Sequence, residues 1–385
     1  MSNKIVFMSM MYAVICAFSG SSLLAQTSSK DTTSNFSAFK RNLTFSGLLE
    51  ARYSTSLTKD VDVNGKNFAD GNGVTNGFSL KRVRFQANAQ INDYFSAVML
   101  VNFADFSSTS VSNKVLENAF IKYTLNRHFH VIAGQYRPFF GIEELIPADI
   151  IKSLDYSNQY YLFGNNGWQS FQMGVSIYGD INKENKMPLR YYVGVDNGNG
   201  RNQTSDNDNG KHVYARLEAD PLKKLSIGIN AGSGSVNNKG GYAWGADVKS
   251  TIKLAKDWSL ELAAEYKDGT NFQGYTNYTG TGEKPDLNQF KMKGYYIFPN
   301  LRYALNKPRF RALEFSARYE YLDDNYKQAN HNPRQTVTPM LALEFADNMF
   351  STLQLGANID IFKTNVPLTA QYSRSLLVAQ FQIRF

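Results

Sequence analysis

The chain has 385 residues, 43% of them hydrophobic and 14% aromatic, with 27 Phe, 23 Tyr and 28 Gly, and a formal charge of +8. That modest excess is spread along the chain rather than gathered into one patch, which excludes a nucleic-acid binder. Aromatic side chains fit a pleated surface, and Gly, Asn and Asp supply turns, so the composition argues against a helical protein and for an all-β one.

In chain order, residues 1–25 read as a secretion signal peptide. Lys4 is the sole charge before Lys30, Ile5 to Phe18 is apolar, and small residues lead to Ala25. The apolar run falls short of the roughly 20 residues that a membrane-spanning helix needs. The single cysteine, Cys16, lies in this leader behind Ile15, which lacks the small side chain of a lipid-attachment site. The mature chain then carries no thiol, which excludes disulfides and cysteine metal sites. Residues 26–41 read as a polar periplasmic lead-in and 42–385 as the folded domain.

From residue 42 onward the pattern is alternation over segments of about ten residues. Leu43, Phe45, Leu49, Ala51 and Tyr53 oppose Thr44, Ser46, Glu50 and Arg52. Val83, Phe85, Ala87 and Ala89 oppose Arg82, Arg84, Gln86 and Asn88, and Leu313, Phe315, Ala317 and Tyr319 oppose Glu314, Ser316, Arg318 and Glu320. Val213, Ala215 and Leu217 stand likewise against His212, Tyr214 and Arg216.

Short and long connections take turns. Tight links are expected at Asn92-Asp93, Asn126-Arg127, Asp220-Pro221, Lys256-Asp257, Lys307-Pro308 and Asp347-Asn348, with a slightly longer one from Asp180 to Met187. Long polar loops are expected over 58–77, 138–167, 198–210, 268–292 and 323–335. Seven hairpins plus an opening and a closing strand give about sixteen strands, with short turns on the periplasmic side and long loops outside. In hydrocarbon a sheet must close on itself, because an open edge leaves backbone groups unpaired. Ser375, Leu377, Ala379, Phe381, Ile383 and Phe385 continue the alternation, and a final Phe suits recognition for outer-membrane insertion. Tyr94, Phe95, Trp258, Tyr242, Trp244, Tyr266, Tyr295 and Tyr321 near strand ends are candidates for interfacial girdles.

The segment Gly134-Gln135-Tyr136-Arg137-Pro138-Phe139-Phe140-Gly141-Ile142-Glu143 resembles the stretch entering the third external loop of the phosphate-selective porin O and P family, as do Leu116–Phe120 and Gly167-Trp168-Gln169. The resemblance runs from about Phe45 to Phe385. It implies a sixteen-stranded transmembrane up-and-down β-barrel, a homotrimer in outer-membrane lipid, with a third loop folded into the pore. Its selective members rely on basic residues in that loop. Here, between Pro138 and Gly167, the loop holds Glu143, Glu144, Asp149 and Asp155 against Lys152 alone.

No catalytic, metal or cofactor site is expected, since His128, His130, His212 and His331 accompany no nucleophile motif. Function then rests on electrostatics in a wet pore, where wall charges replace a solute's lost hydration. Even-numbered Arg52, Arg82, Arg84, Arg190, Arg216, Arg302 and Arg318 would face inward, with Arg137 if its strand keeps register. Their forked guanidinium groups suit phosphate-like anions. Equally, they could pair with Glu50, Glu117, Asp196, Glu218, Asp247, Glu261 and Glu320 as structural links. The expected function is passive diffusion of small anions or polar solutes, slightly favouring anions. The rival is a secreted or surface all-β adhesin or carbohydrate-binding protein.

Overall fold

The computed structural model describes residues 42–385 apart from 69–70, 108–114, 183–186, 203–205, 207 and 281. The proposed leader and lead-in lie outside the described residues. Sixteen strands run β1 (Asn42–Ser56), β2 (Asn76–Gln90), β3 (Phe95–Asn102), β4 (Leu116–Asn126), β5 (Phe129–Tyr136), β6 (Gln172–Asp180), β7 (Leu189–Asp196) and β8 (His212–Leu222). They continue as β9 (Leu225–Val236), β10 (Lys239–Lys253), β11 (Trp258–Thr270), β12 (Lys291–Ala304), β13 (Ala312–Asp323), β14 (Arg334–Ala346), β15 (Ser351–Phe362) and β16 (Arg374–Arg384). Each is antiparallel to its sequence neighbours, and β1 pairs with β16 from Leu48↔Arg384 to Ser56↔Leu376, closing the barrel. Closure satisfies every strand on both edges, which hydrocarbon demands. No described helix is long and apolar enough to cross a membrane, so the crossing falls to the strands.

Alternation decides which face meets lipid. On β1 and β9 the odd residues Phe45 and Ile229 are 57% and 56% exposed, whereas the inward Glu50 is 0% and Asn230 5%. The parity switches once in β2. Glu50 pairs with Arg82 but Ala51 with Leu80, so Lys81 is an extra bulged residue. Beyond it the even-numbered Phe78 and Leu80 point out, at 89% and 58% exposure, as a bulge requires when one strand carries an additional residue. Pairing also lapses beside two prolines, at Phe298–Pro299 between β12 and β13 and at Thr338–Pro339 between β14 and β15. Proline has no N–H to give a ladder. A shallow apolar recess of about 680 Å³ opens there on the outer wall, floored by Pro299, Ala317 and Pro339.

Six of the seven hairpins at the trim end fall where the tight links are expected, and the seventh is displaced. β8 carries Asp220-Pro221 inside its last turn-ward residues and turns instead at Lys223-Lys224, where Lys224 takes φ 70°. The shift between Ala219 and Leu222 absorbs proline's missing donor. At the other end the alternation of short with long fails once. β9 and β10 join through Asn237-Asn238 at φ 49° and 62°, a two-residue turn of the type that Asn tolerates. Aromatic pairs mark both rims: Tyr94 and Phe95 with Tyr123 and Trp258 with Tyr303 at the trim end, Trp244 with Tyr266 and Tyr295 with Tyr321 at the loop end.

Ile229→Arg places a charge on the lipid face and is expected to destabilise the barrel by roughly 2–4 kcal/mol. Urea titration in lipid vesicles measures this, and Asn230→Ser on the lumen side should show a clearly smaller change.

Candidate functional site

The connection from β5 to β6, residues 137–171, does not project away from the barrel. Its partners are inward-facing side chains of strands all round the wall. Asp155 is the main anchor, pairing with Arg52 of β1 at 2.8 Å, Lys81 of β2 at 2.9 Å and Arg82 at 3.5 Å. Lys152 bridges Glu261 of β11 at 3.0 Å and Glu314 of β13 at 2.8 Å. Asp149 meets Arg384 of β16 at 2.9 Å. Arg318 of β13 donates to the Ser153 hydroxyl at 2.7 Å and the Asp155 carbonyl at 2.6 Å, and its neighbour Glu320 accepts from the Asn158 amide at 2.6 Å. A segment tied to β1, β2, β11, β13 and β16 crosses the lumen.

The sequence explains why the loop can hold this path. Gly141, at φ 107°, passes so close to β11 that a Cβ would stand 2.1 Å from Glu265 Oε1, and that carboxylate accepts the next amide, from Ile142, at 2.9 Å. Only glycine meets both demands. A four-residue helix, α1 (Ile142–Leu145), follows, and α2 (Asn158–Asn165) opens where Ser157 Oγ accepts from the Tyr160 amide. Glu143 joins the two helices by accepting from the Ser157 amide at 2.8 Å and from its hydroxyl.

Arg137 folds onto its own loop. Its guanidinium pairs with Glu144 at 2.6 Å, donates to the Ile146 and Glu143 carbonyls and the Tyr156 hydroxyl, and lies 4.8 Å from the Tyr156 ring centroid. Beyond α2, Phe140, Phe163 and Trp168 pack with Phe272, Leu287 and Met292 in an apolar knot inside the barrel. There the connection between β11 and β12 meets the third loop.

The remaining arginines are also partnered. Arg82 pairs with Glu50 at 2.6 Å, Arg84 with Glu117 at 2.8 Å, Arg190 with Asp220 at 2.7 Å and with Glu218, Arg216 with Asp247 at 2.5 Å, and Arg302 with Glu344 at 2.8 Å. Arg318 holds Glu320 at 2.7 Å. Asp196, considered beside them, accepts instead from the Gly198 amide at 2.9 Å. Burying a charge without a partner is far costlier than burying a pair, which is why the wall carboxylates match the arginines. The four loop carboxylates are likewise engaged, so they brace the loop more than they repel anions.

Lys81, Lys122 and Lys249 were not singled out from sequence. A bulge conceals Lys81 from a parity count. Lys122 on β4 and Lys249 on β10 stand on the inward faces that Phe120 and Asp247 mark, so parity could have found them. Lys122 lies 5.5 Å over the Tyr178 ring. Among the described residues neither forms an ion pair, unlike the arginines. The crossing loop leaves a cavity on each side, both touching Tyr156. One, of about 580 Å³, is lined by Arg84, Arg137, Phe139 and Arg384, and the other, of about 600 Å³, by Lys152, Lys249, Arg302 and Glu344.

Burial alone would push the Asp155 carboxyl up, but Arg52, Lys81 and Arg82 hold it well below the usual carboxylate range. A lowered folded-state pKa contributes stability above the ordinary value near 3.9, lost only as pH falls through the depressed one. The latch is therefore expected to survive acidification to about pH 4 with single-channel conductance unchanged. Asp155→Asn strips three cations of their shared partner and should cost roughly 3 kcal/mol of loop anchoring. Recordings would then show noisier or larger unit conductance.

Comparison with known proteins agrees with this architecture. The family model for phosphate-selective porin O and P matches residues 52–359. Among solved structures, the outer membrane channel DcaP of Acinetobacter baumannii superposes with a TM-score of 0.56 at 12% identity, covering 90% of this chain and 97% of that one. An anion-selective porin from Comamonas acidovorans gives 0.52 at 11%, covering 90% and 99%, and Salmonella typhi OmpF in complex with daunomycin gives 0.57 at 11%, covering 89% and 97%. No curated protein matches significantly.

Proposed function

Because the chain belongs to the phosphate-selective porin O and P family and is an outer-membrane channel, we propose that it is a weakly selective diffusion pore for small polar solutes with a slight preference for anions. Family and fold point to a channel rather than an enzyme. An adhesin or soluble sugar-binding protein is not favoured, since a closed barrel girdled by exposed Phe45, Ile121, Ile229 and Ile297 is built for hydrocarbon.

The observation that carries the reading is local neutrality with a small basic remainder. On the β1–β2 arc three cations, Arg52, Lys81 and Arg82, face Glu50 and Asp155. On the β11–β14 arc Lys152 and Arg302 face Glu261, Glu314 and Glu344. Such a wall supplies charge to both ends of a dipolar solute and holds neither ion tightly, as conduction requires. Lys122 and Lys249, outside any ion pair, tip the remainder toward anions. Strict phosphate selectivity is not supported, because the arginines whose forks would grip phosphate already grip carboxylates.

The same reading makes Arg52, Arg82, Arg84, Arg190, Arg216, Arg302 and Arg318 structural members of the pore wall. Arg137, with Glu143, Glu144, Asp149, Lys152 and Asp155, becomes the frame of its constriction. It also takes residues 1–25 as a leader removed on export, 26–41 as a periplasmic lead-in and the assembly as a homotrimer, on the family resemblance.

In planar bilayers under a potassium chloride gradient, the reversal potential is expected to shift modestly toward that of chloride, and Lys122→Glu with Lys249→Glu should abolish or invert the shift. A wild-type reversal on the potassium side would sink the anion preference. Phosphate added at equal ionic strength should leave chloride current without strong block.

A further inference from the structure

The outer wall of β10–β14 at the long-loop end carries three lysines, Lys291, Lys293 and Lys327, that share the nearby carboxylate of Asp268 without closing a salt bridge to it, in contrast to the paired arginines inside. Strand parity sets Tyr242 and Trp244 of β10 outward, 46% and 44% exposed, beside Tyr266 of β11. On β12, Lys291, Lys293 and Tyr295 share the face of Ile297, which is 52% exposed in the apolar belt below. Lys291 Nζ lies 3.9 Å over the Tyr242 ring and donates to Thr270 Oγ1 at 2.9 Å. Lys293 Nζ lies 4.6 Å over the ring of Tyr326, and Lys327 Nζ approaches the same ring at 5.9 Å.

Lys293 stands in register between Asp268 and Asp323, yet forms an ion pair with neither. Asp268 accepts from the Tyr326 hydroxyl at 2.9 Å, and Asp323 pairs with His331 at 2.7 Å. Among the described residues no carboxylate forms a salt bridge with any of the three lysines. An ammonium resting on a ring face keeps other N–H donors free to turn outward. Aromatic rings at this height sit at the headgroup level of a bilayer. Free donors, three lysines around Asp268 with Asp323 already engaged by His331, and a lipid-facing position together suit an anionic headgroup.

We propose that Lys291, Lys293 and Lys327, framed by Tyr242 and Tyr326, hold the phosphate of a lipid headgroup in the leaflet that the long loops face. The site rests on the membrane orientation of the barrel and is independent of the pore's preference for anions.

The test uses the full chain in detergent with phosphatidic acid or phosphatidylcholine added, read by native mass spectrometry. Wild type is expected to retain phosphatidic acid in preference, and Lys293→Gln with Lys327→Gln to weaken retention by at least about tenfold, at on the order of fivefold per lysine. Adding Lys291→Gln should weaken it further. Lys291 is only 8% exposed, so the double variant carries the test if the triple one fails to fold. Reversal potential and unit conductance should not move, since these side chains face away from the lumen. Equal retention of the two lipids, or of phosphatidic acid by wild type and double variant, overturns the proposal. Displacement of the lipid by inorganic phosphate would reassign the site to the free anion. A changed reversal potential in the double variant would place the lysines at the pore mouth. Either result also overturns it.

Discussion

The pairing of β1 with β16 is the constraint on which everything else depends. A backbone amide in hydrocarbon has no water to fall back on, so a sheet of any length is tolerable there only when its first strand finds its last. Nine aligned residue pairs from Leu48↔Arg384 to Ser56↔Leu376 make that join, and the backbone of Phe385 adds two hydrogen bonds to Gly47. Once the cylinder is closed, side-chain parity has only two destinations. Residues such as Phe45 and Ile229 go to lipid, and residues such as Glu50 and Asn230 go to the lumen.

A closed cylinder of sixteen strands would enclose a wide space, and the third loop fills much of it by electrostatic bracing. Asp155 and Lys152 carry opposite charge three residues apart, and each is held by wall groups of the other sign on different arcs. Gly141 lets the loop leave the wall against Glu265, and Glu143 joins its two short helices through Ser157 while Arg137 ties α1 to Tyr156. The loop therefore behaves as a strut spanning the lumen. Its acidic character serves adhesion to a basic arc of wall, which reconciles an acidic constriction with a chain of net positive charge.

The division between paired and unpaired cations follows from the same physics. Arginine dominates where the environment is enclosed, because its planar fork can satisfy a carboxylate while five donors find partners. Lysine serves both ways: Lys81, Lys152 and Lys267 are ion-paired, whereas among the described residues Lys122 and Lys249 in the lumen and Lys291, Lys293 and Lys327 on the outer rim stand outside any salt bridge. A point charge on a flexible stem tolerates that exposure better.

How much of this was legible in the sequence depends on the range of the interaction concerned. Period-two alternation and the seven tight turns are local, so strand number, closure and the lipid face could be read residue by residue. Local exceptions misled where chemistry was subtle, at the Lys81 bulge and at Asp220-Pro221, which β8 absorbs before turning at Lys223-Lys224. Parity also placed the arginines on the inner face. It could not say whether each would meet a solute or a carboxylate, because Arg216 and Asp247, or Arg52 and Asp155, are far apart in the chain and adjacent only after closure. The sequence by itself determined a barrel with a charged interior. Only the tertiary structure decided that those charges neutralise one another and pin the third loop, since ion pairing depends on distances across the lumen that no local pattern encodes.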